Sequence, residues 1–185
     1  MRTATYQVDK DEILDRIFTY LVGRGLENVT IRELCKGTGI VQGSLYYWFG
    51  DKTSIICEVT EHRLRKVTDG IFAYVFASLG NLRGFFSGCL DEIAKYKPEL
   101  RFIYQMAASP VYGETIRRTG WSFNLVYDKY VSELAPLLGC DGELLRPLVY
   151  LFISAVLNYI ICDEREKMQM QLEFIYSVLP QILHK

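Results

Sequence analysis

Residues 30–49 read TIRELCKGTGIVQGSLYYWF, and this stretch decides the fold of the N-terminal part of the chain. Thr30 and Glu33 have the spacing of a capping box, which predicts that a helix begins there. Gly39 lies where this helix must end, because glycine accepts the positive φ of a tight turn. A second short helix is predicted over about 42–49. Two helices joined by a glycine-containing turn are typical of a helix-turn-helix.

Residues 46–49 are four successive aromatics, and a helix cannot bury all four because they point in different directions around it. Phe49 follows Leu45 by four residues, so these two are predicted to face the core together with Ile40. The remaining aromatics are expected at the surface, where their polar tips can donate hydrogen bonds to phosphate oxygens: Tyr46, Tyr47 and Trp48. The alternative is a helical hairpin inside an ordinary bundle, with the aromatics as core.

Helical periodicity extends through the rest of the chain. Apolar residues at helical spacing run through 13–22 and through a long segment at 52–79. Further helices are predicted near 82–96, 99–108, 114–138, 142–162 and 167–183. No alternating pattern of strand type occurs in the sequence. We therefore predict an all-α protein of about nine helices, with a three-helix domain at 1–52 and a helical bundle at 53–185.

Composition limits the classes of partner. The 185 residues include 21 Lys+Arg and 22 Asp+Glu, and residues 1–52 hold seven of each. Affinity for any polyanion should therefore be modest and lost as salt is raised. Five scattered cysteines indicate reduced thiols, and the apolar run 147–157 is shorter than a membrane span. We expect a cytoplasmic protein without a signal peptide or membrane contact.

Through these motifs the sequence resembles the N-terminal domain of the TetR family of transcriptional regulators over 13–56. The resemblance rests on TIRELC at 30–35, Gly-Ile at 39–40, GSLYYWF at 43–49 and Asp-Lys at 51–52. It implies a three-helix DNA-binding domain, a connecting helix, a C-terminal ligand-binding bundle and a homodimer formed through the last two helices. The residues that it implies at the DNA are Thr30, Arg32, Gln42, Gly43, Ser44, Tyr46, Tyr47, Trp48 and Lys52.

Two positions depart from the family pattern. Val41 stands where the family often has a Ser or Thr cap, which weakens the start of the second helix by about 1 kcal/mol at most. Gln42 stands where the family often has Lys. This change removes a positive charge for a phosphate, but it supplies an amide that can read adenine.

Aromatic and sulfur-containing side chains are dense over 72–127, and the tyrosine hydroxyls among them need hydrogen-bond partners. Core packing explains most of them. A partly polar cavity for an apolar or aromatic effector is the competing interpretation. Its candidate residues are Phe86, Cys89, Phe102, Tyr104, Met106, Trp121, Phe123, Tyr127, Phe152 and Asn158. Asn158 has a second interpretation, an interhelical hydrogen bond within an apolar helix.

The last two predicted helices are candidates for a dimer interface. Residues 144–161 are apolar on more than one face, and a second apolar stripe runs through 172–183. Two such helices from each of two chains would form a four-helix interface around a two-fold axis. The candidate residues are Leu148, Leu151, Ala155, Tyr159, Leu172, Ile175, Tyr176, Leu179 and Ile182. A purely internal helix pair is the alternative.

The sequence contains no recognisable catalytic motif. GxSxG, HExxH and phosphate-loop motifs are absent, and the two histidines, His62 and His184, are far apart. We expect no enzyme activity, no metal and no cofactor, and we expect His62 on a solvated helix face. The resemblance to the TetR family implies a repressor that binds a palindromic operator in double-stranded DNA and is released by a small-molecule effector. The alternative is a helical module that binds a small molecule or a protein and has lost DNA binding.

Overall fold

The computed structural model describes residues 9–24, 29–118 and 123–183, without the side chains of 117–118 and 123–126. Within these residues the chain is all-α, as predicted, and no strand occurs. The helices are α1 (Lys10–Arg24), α2 (Ile31–Thr38), α3 (Gln42–Phe49), α4 (Lys52–Ala77), α5 (Leu82–Ala94), α6 (Lys97–Ala108), α7 (Gly113–Arg118), α8 (Phe123–Leu138), α9 (Gly142–Cys162), α10 (Arg165–Val178) and α11 (Pro180–Leu183). A single 3-10 turn, Leu79–Asn81, lies between α4 and α5.

The described residues contain eleven α-helices where about nine were predicted. In place of the one helix predicted over 114–138, the structure has two helices, α7 and α8. Residues 119–122 between them lie outside the residues that the structure describes. The helix predicted over 167–183 ends at Val178, and α11 begins at Pro180. Proline lacks a backbone N–H, so it suits the first position of a new helix better than the interior of a continuing one.

The chain divides into two compact units. The first comprises residues up to Lys66 together with Phe102–Arg118. Its core is formed by the apolar face of α1, where Ile13, Ile17 and Leu21 are almost fully buried. Phe18 of the same helix meets Phe102 of α6 edge to face, with ring centroids 5.3 Å apart. This unit therefore contains the predicted helix-turn-helix and a packing partner from later in the chain.

The turn between α2 and α3 depends on a left-handed glycine. Gly39 has φ 69° and ψ 12°, and its N–H donates to the carbonyl of Cys35 at 2.9 Å. The preceding Thr38 is buried, and its hydroxyl donates to the carbonyl of Leu34 at 2.6 Å. Arg16 of α1 donates to the Thr38 carbonyl. The end of α2 is thus satisfied by backbone and side-chain donors before the chain turns.

Helices α1 and α2 approach each other closely at Gly37. A Cβ on Gly37 would lie only 1.9 Å from the ring of Tyr20. Residue spacing along the chain does not predict this contact, because it depends on how the two helices cross.

The second unit comprises Val67–Arg101 and residues 119–185. In it α9 packs against α8 and α10. Aromatic rings of α4, α5 and α9 form a cluster in which Phe85 contacts Tyr74 and Phe152 at centroid distances of 5.6 and 5.9 Å. By length and composition alone, α9 is the one helix of the described residues that could cross a membrane.

The turn yields a paired stability prediction. Gly39→Ala should lower the free energy of unfolding by about 1–2 kcal/mol, because the Cβ disfavours a positive φ. Gly43→Ala is the matched control, since a Cβ there meets nothing within 4 Å in helical backbone. It should raise the free energy of unfolding by about 0.5–1 kcal/mol. Urea unfolding measures both, and equal effects of the two substitutions would contradict the assignment of the turn.

Candidate nucleic-acid interface

Helix α3 buries one face and exposes the rest. Leu45 and Phe49 are 0% and 6% exposed, and Ile40 just before the helix is also buried. The other aromatics are exposed as predicted, and Tyr47 is the most exposed at 81%. The rings of Tyr47 and Trp48 contact each other edge to face, with centroids 5.5 Å apart. The interpretation of the aromatics as core is therefore wrong for all but Phe49.

The start of α3 has no side-chain cap. Val41 occupies the N-cap position and makes no capping hydrogen bond, as its apolar side chain predicts. Ile40 and Leu45 occupy the two positions of a hydrophobic staple, and both are buried. Apolar packing, rather than a polar cap, thus fixes the direction in which α3 begins.

By contrast, the start of α2 carries a carboxylate. The predicted capping box is present: the N–H of Glu33 donates to the Thr30 hydroxyl at 3.2 Å, and the N–H of Thr30 donates to the Glu33 carboxylate at 2.8 Å. The backbone N–H of Thr30 holds the pKa of Glu33 below its ordinary value. The Thr30 hydroxyl also donates to Glu33 at 3.0 Å. A phosphate, which only accepts hydrogen bonds, would have to compete with Glu33 for that hydroxyl.

The start of α4 is capped in a similar way. The N–H of Ser54 donates to the carboxylate of Asp51 at 2.8 Å, and this bond lowers the pKa of Asp51. Lys52 follows directly, so a cation and a fixed anion lie side by side. A phosphate at this end of α4 would be held by the Lys52 side chain rather than by the capped helix terminus.

The helix-turn-helix segment carries few cations, and these are free of ion pairs. Within residues 29–66, all of which the structure describes, those without an ion pair are Arg32, Lys36 and Lys52. Lys36 is exposed at the end of α2 and was not among the residues predicted to meet DNA. Helix α3 itself holds no charged residue. The surface therefore has an uncharged centre with a small number of cations on the flanking elements.

His62 does not lie on a solvated face, and that expectation is wrong. Its side chain is 12% exposed, and Nε2 lies 2.8 Å from Oδ1 of Asp15. Asp15 of α1 also accepts from Lys66 at 2.7 Å and from Arg63 at 3.1 Å. The guanidinium of Arg63 lies over the ring of Phe18, 4.0 Å from its centroid. This cluster joins α1 to α4 within the first unit and so supports the helix against which the helix-turn-helix packs.

The candidate effector residues fall into different parts of the chain. Phe102, Tyr104 and Met106 belong to the first unit, where Phe102 and Met106 are buried. Phe86, Cys89, Tyr127, Phe152 and Asn158 belong to the second unit. Trp121 and the side chain of Phe123 lie outside the described residues.

Within the second unit the candidates differ in burial. Phe86 and Cys89 are buried, and burial raises the pKa of the Cys89 thiol to about 12. Phe86 packs against Phe85 and Tyr176, at centroid distances of 5.0 and 5.4 Å. Asn158 is exposed. Its amide therefore faces outward from α9 rather than into the packed interior of the unit.

The candidate dimer residues also divide by burial. Leu151 and Tyr176 are exposed and Ile182 is half-buried, whereas the others are buried within the single chain: Leu148, Ala155, Tyr159, Leu172, Ile175 and Leu179. Five large apolar residues, of which Leu151 is also a candidate dimer residue, are exposed on the outward faces of α9 and α10: Leu144, Leu151, Ile161, Met170 and Phe174. We call these five residues the α9–α10 stripe. Ser154 and Asn158 are exposed on the same face of α9.

The arrangement defines an all-helical protein with an N-terminal helix-turn-helix. Residues 13–59 match the family model for bacterial regulatory proteins of the tetR family. Over these residues the chain is similar to the N-terminal domain of that family.

Curated relatives match parts of the chain, and one solved structure shares its fold. The chain is 36% identical over 63 residues to the HTH-type transcriptional repressor KstR2 of Rhodococcus jostii, covering 34% of this chain and 29% of that protein. It is 30% identical over 103 residues to KstR2 of Mycobacterium tuberculosis, covering 52% of this chain and 49% of that protein. The matches thus span half or less of these relatives. A crystal structure assigned to the tetR family, from Shewanella sp. PV-4, shares the fold with a TM-score of 0.59, 16% identity, and coverage of 90% of this chain and 93% of that one.

The Asp15 cluster predicts how stability depends on pH. Partial burial acts to raise the pKa of Asp15, but hydrogen bonds from Lys66 and His62 and the charge of Arg63 outweigh it and lower the pKa below its ordinary value. A carboxyl whose pKa is lowered by folding contributes stability above its unfolded pKa of about 4 and loses it as pH falls further. Asp15→Asn should therefore destabilise the protein at pH 7 and flatten the loss of stability below pH about 4.

Thermal unfolding between pH 3 and pH 7 measures this effect. Asp91→Asn is the matched control, because Asp91 pairs with the exposed Arg165 in the second unit. Exposed pairs contribute little. An acid limb that is equally steep in the Asp15 variant and the wild type would contradict the role given to the cluster.

Proposed function

We propose that the protein is a sequence-specific repressor that binds double-stranded DNA through α2 and α3. The exposed surface of α3 carries the proposal, because three neighbouring aromatics remain in water at the end of a helix-turn-helix. The second helix of such a motif enters the major groove, where tyrosine hydroxyls can donate to the bordering phosphates. Arg32, Lys36 and Lys52 supply the cations on the flanking elements. The names of the KstR2 relatives, which are transcriptional repressors, support the same function.

This function requires neither catalysis nor a membrane. Among the described residues, no group of three or more His, Cys, Asp or Glu side chains could hold a metal ion. The regulators that the chain resembles support a cytoplasmic, non-enzymatic role. A helical binding module without DNA affinity is the remaining candidate, and the small number of free cations on α2–α4 is the observation that favours it.

Two tyrosine variants test the DNA contacts. Tyr47→Phe removes only a hydroxyl from an exposed ring, and losing one hydrogen bond to a charged phosphate in each protomer should raise the Kd for a bound genomic fragment at least about tenfold. Tyr46→Ala should weaken binding similarly without a change in Tm. Fluorescence anisotropy and thermal unfolding measure the two effects, with Val111→Ala, an exposed apolar position outside the motif, as the control. A large fall in Tm for Tyr46→Ala would show a core role instead.

The free cations also predict the response to salt. Three per protomer and six per dimer give a slope of about −5 for the logarithm of the association constant against the logarithm of salt concentration. Lys36→Gln should make the slope shallower by about 2, since a dimer loses two phosphate contacts. Lys95→Gln is the matched control, because Lys95 pairs with Glu92 in the second unit. No binding at low salt would favour the module without DNA affinity.

We further propose that the protein is a homodimer and that a second copy covers the α9–α10 stripe. The stripe is a row of large apolar side chains that one chain leaves in water. A lipid surface suits it less, because Asn158 on the same face would lose its hydrogen bonds to water in hydrocarbon. In a two-fold interface each Asn158 can instead pair with a polar group of the partner, and Ser154 is small enough for the helices to cross closely. A palindromic operator would match this two-fold symmetry.

A charge placed within the stripe should separate the two copies. Leu151→Asp and Phe174→Asp each bury an unpaired carboxylate in the interface, so the dimer dissociation constant should rise at least about a hundredfold. Sedimentation equilibrium should give twice the 21.4 kDa of one chain for the wild type and a single-chain mass for the variants. Ser132→Asp, at an exposed position of α8, is the control and should stay dimeric. A dimer that survives both substitutions would place the interface elsewhere.

Release by a small-molecule effector completes the proposed function. The dimer would have two states with different affinities for the operator. The coupling free energy between effector and operator would come from the effector's different affinities for these two states. The apolar and aromatic side chains of α5 and α9 favour an apolar or aromatic effector. If a compound that binds the protein as its effector leaves the Kd for the operator unchanged, release by that effector is contradicted.

A further inference from the structure

Val41 has two features that disfavour it at the start of a helix. It is the N-cap residue of α3, where Ser, Thr, Asn or Asp would accept a hydrogen bond from the first turn, yet its side chain makes none. It is also 68% exposed, so its methyl groups stand in water. Because neither feature stabilises the folded chain, we looked for a contact that the Val41 side chain could make with another molecule.

Few groups on DNA can make an apolar contact with an exposed valine. Helix α3 contains no charged residue, so any reading of bases must use neutral polar or apolar contacts. In a helix-turn-helix the residues that begin the second helix are the ones that contact base edges. The major groove presents hydrogen-bonding groups at every base pair, but thymine alone of the four bases adds an apolar group, its C5-methyl.

We propose that Val41 packs against the C5-methyl of a thymine in each half of the operator. Gln42, exposed beside it, donates to N7 and accepts from the N6 amino group of an adenine at the neighbouring base pair. Gly43 favours this approach, because it presents no side chain to the groove. The inference rests on the DNA binding proposed above and adds which bases are read.

The test begins with the duplexes that the wild-type protein selects from a random library at low salt. The most enriched duplex is then remade with uracil in place of one thymine at a time, which removes only the C5-methyl. One thymine in each half-site should be sensitive, and its replacement should raise the Kd about fourfold, or about fifteenfold when both half-sites are changed. Replacement at the other thymines should have little effect.

Two variants assign the sensitivity to Val41. Val41→Ser and Val41→Ala should both bind the thymine and uracil duplexes equally, because neither retains the γ-methyl groups. Val41→Ser should also raise Tm by about 2–4 °C through a new N-cap, whereas Val41→Ala should not. A rise in stability together with a loss of thymine preference separates the base contact from any folding defect.

The outcomes distinguish this inference from the function on which it rests. If the wild type enriches no sequence, DNA recognition itself fails. If it enriches a sequence but no uracil replacement changes the Kd, or if Val41→Ser keeps the preference for thymine, the contact proposed for Val41 is overturned and DNA recognition stands.

Discussion

An eight-residue helix has one face to bury, and in α3 that face is filled by Leu45 and Phe49. This limit determines what the helix-turn-helix presents to solvent, because every other side chain of α3 must lie on the outward faces. Ile40 holds the beginning of the helix from within the core, and Gly39 sets the angle at which the chain enters it. Three tyrosine and tryptophan rings are exposed as a direct consequence of the packing.

Charge is distributed unevenly over the surface of the helix-turn-helix. Carboxylates occupy the starts of α2 and α4, where helix termini would otherwise attract anions. Within residues 29–66, the cations without ion pairs belong to α2 and to the first turn of α4, and α3 between them is uncharged. In the proposed complex the ionic contacts with phosphates would come from the flanking elements, whereas α3 would contribute the tyrosine hydroxyls and neutral base-reading groups such as Val41 and Gln42.

Features that depend on neighbours in sequence could be predicted, and features that depend on helix crossings could not. The capping box at Thr30, the turn at Gly39 and the exposure of residues 46–48 follow from local spacing and from the geometry of one helix. His62 meets Asp15 across 47 positions, so the periodicity of α4 alone suggested a solvated face. Helix α9 is apolar on several sides, and its sequence did not reveal that Ala155 and Tyr159 pack inward while Leu144 and Ile161 face outward. The proline at 180 was visible in the sequence, but the break that it makes after Val178 was not predicted.

If the protein binds DNA as proposed, the absence of charge on α3 has a consequence for its selectivity among DNA sites. Salt ions compete with the Lys and Arg side chains that contact any DNA duplex. A rise in salt concentration therefore weakens binding to all DNA sites to a similar degree. Methyl packing and amide hydrogen bonds are almost indifferent to those ions. The ratio of occupancy between a matched site and a random one should therefore persist while total occupancy falls. Selectivity for the matched site would thus depend less on salt concentration than overall affinity does.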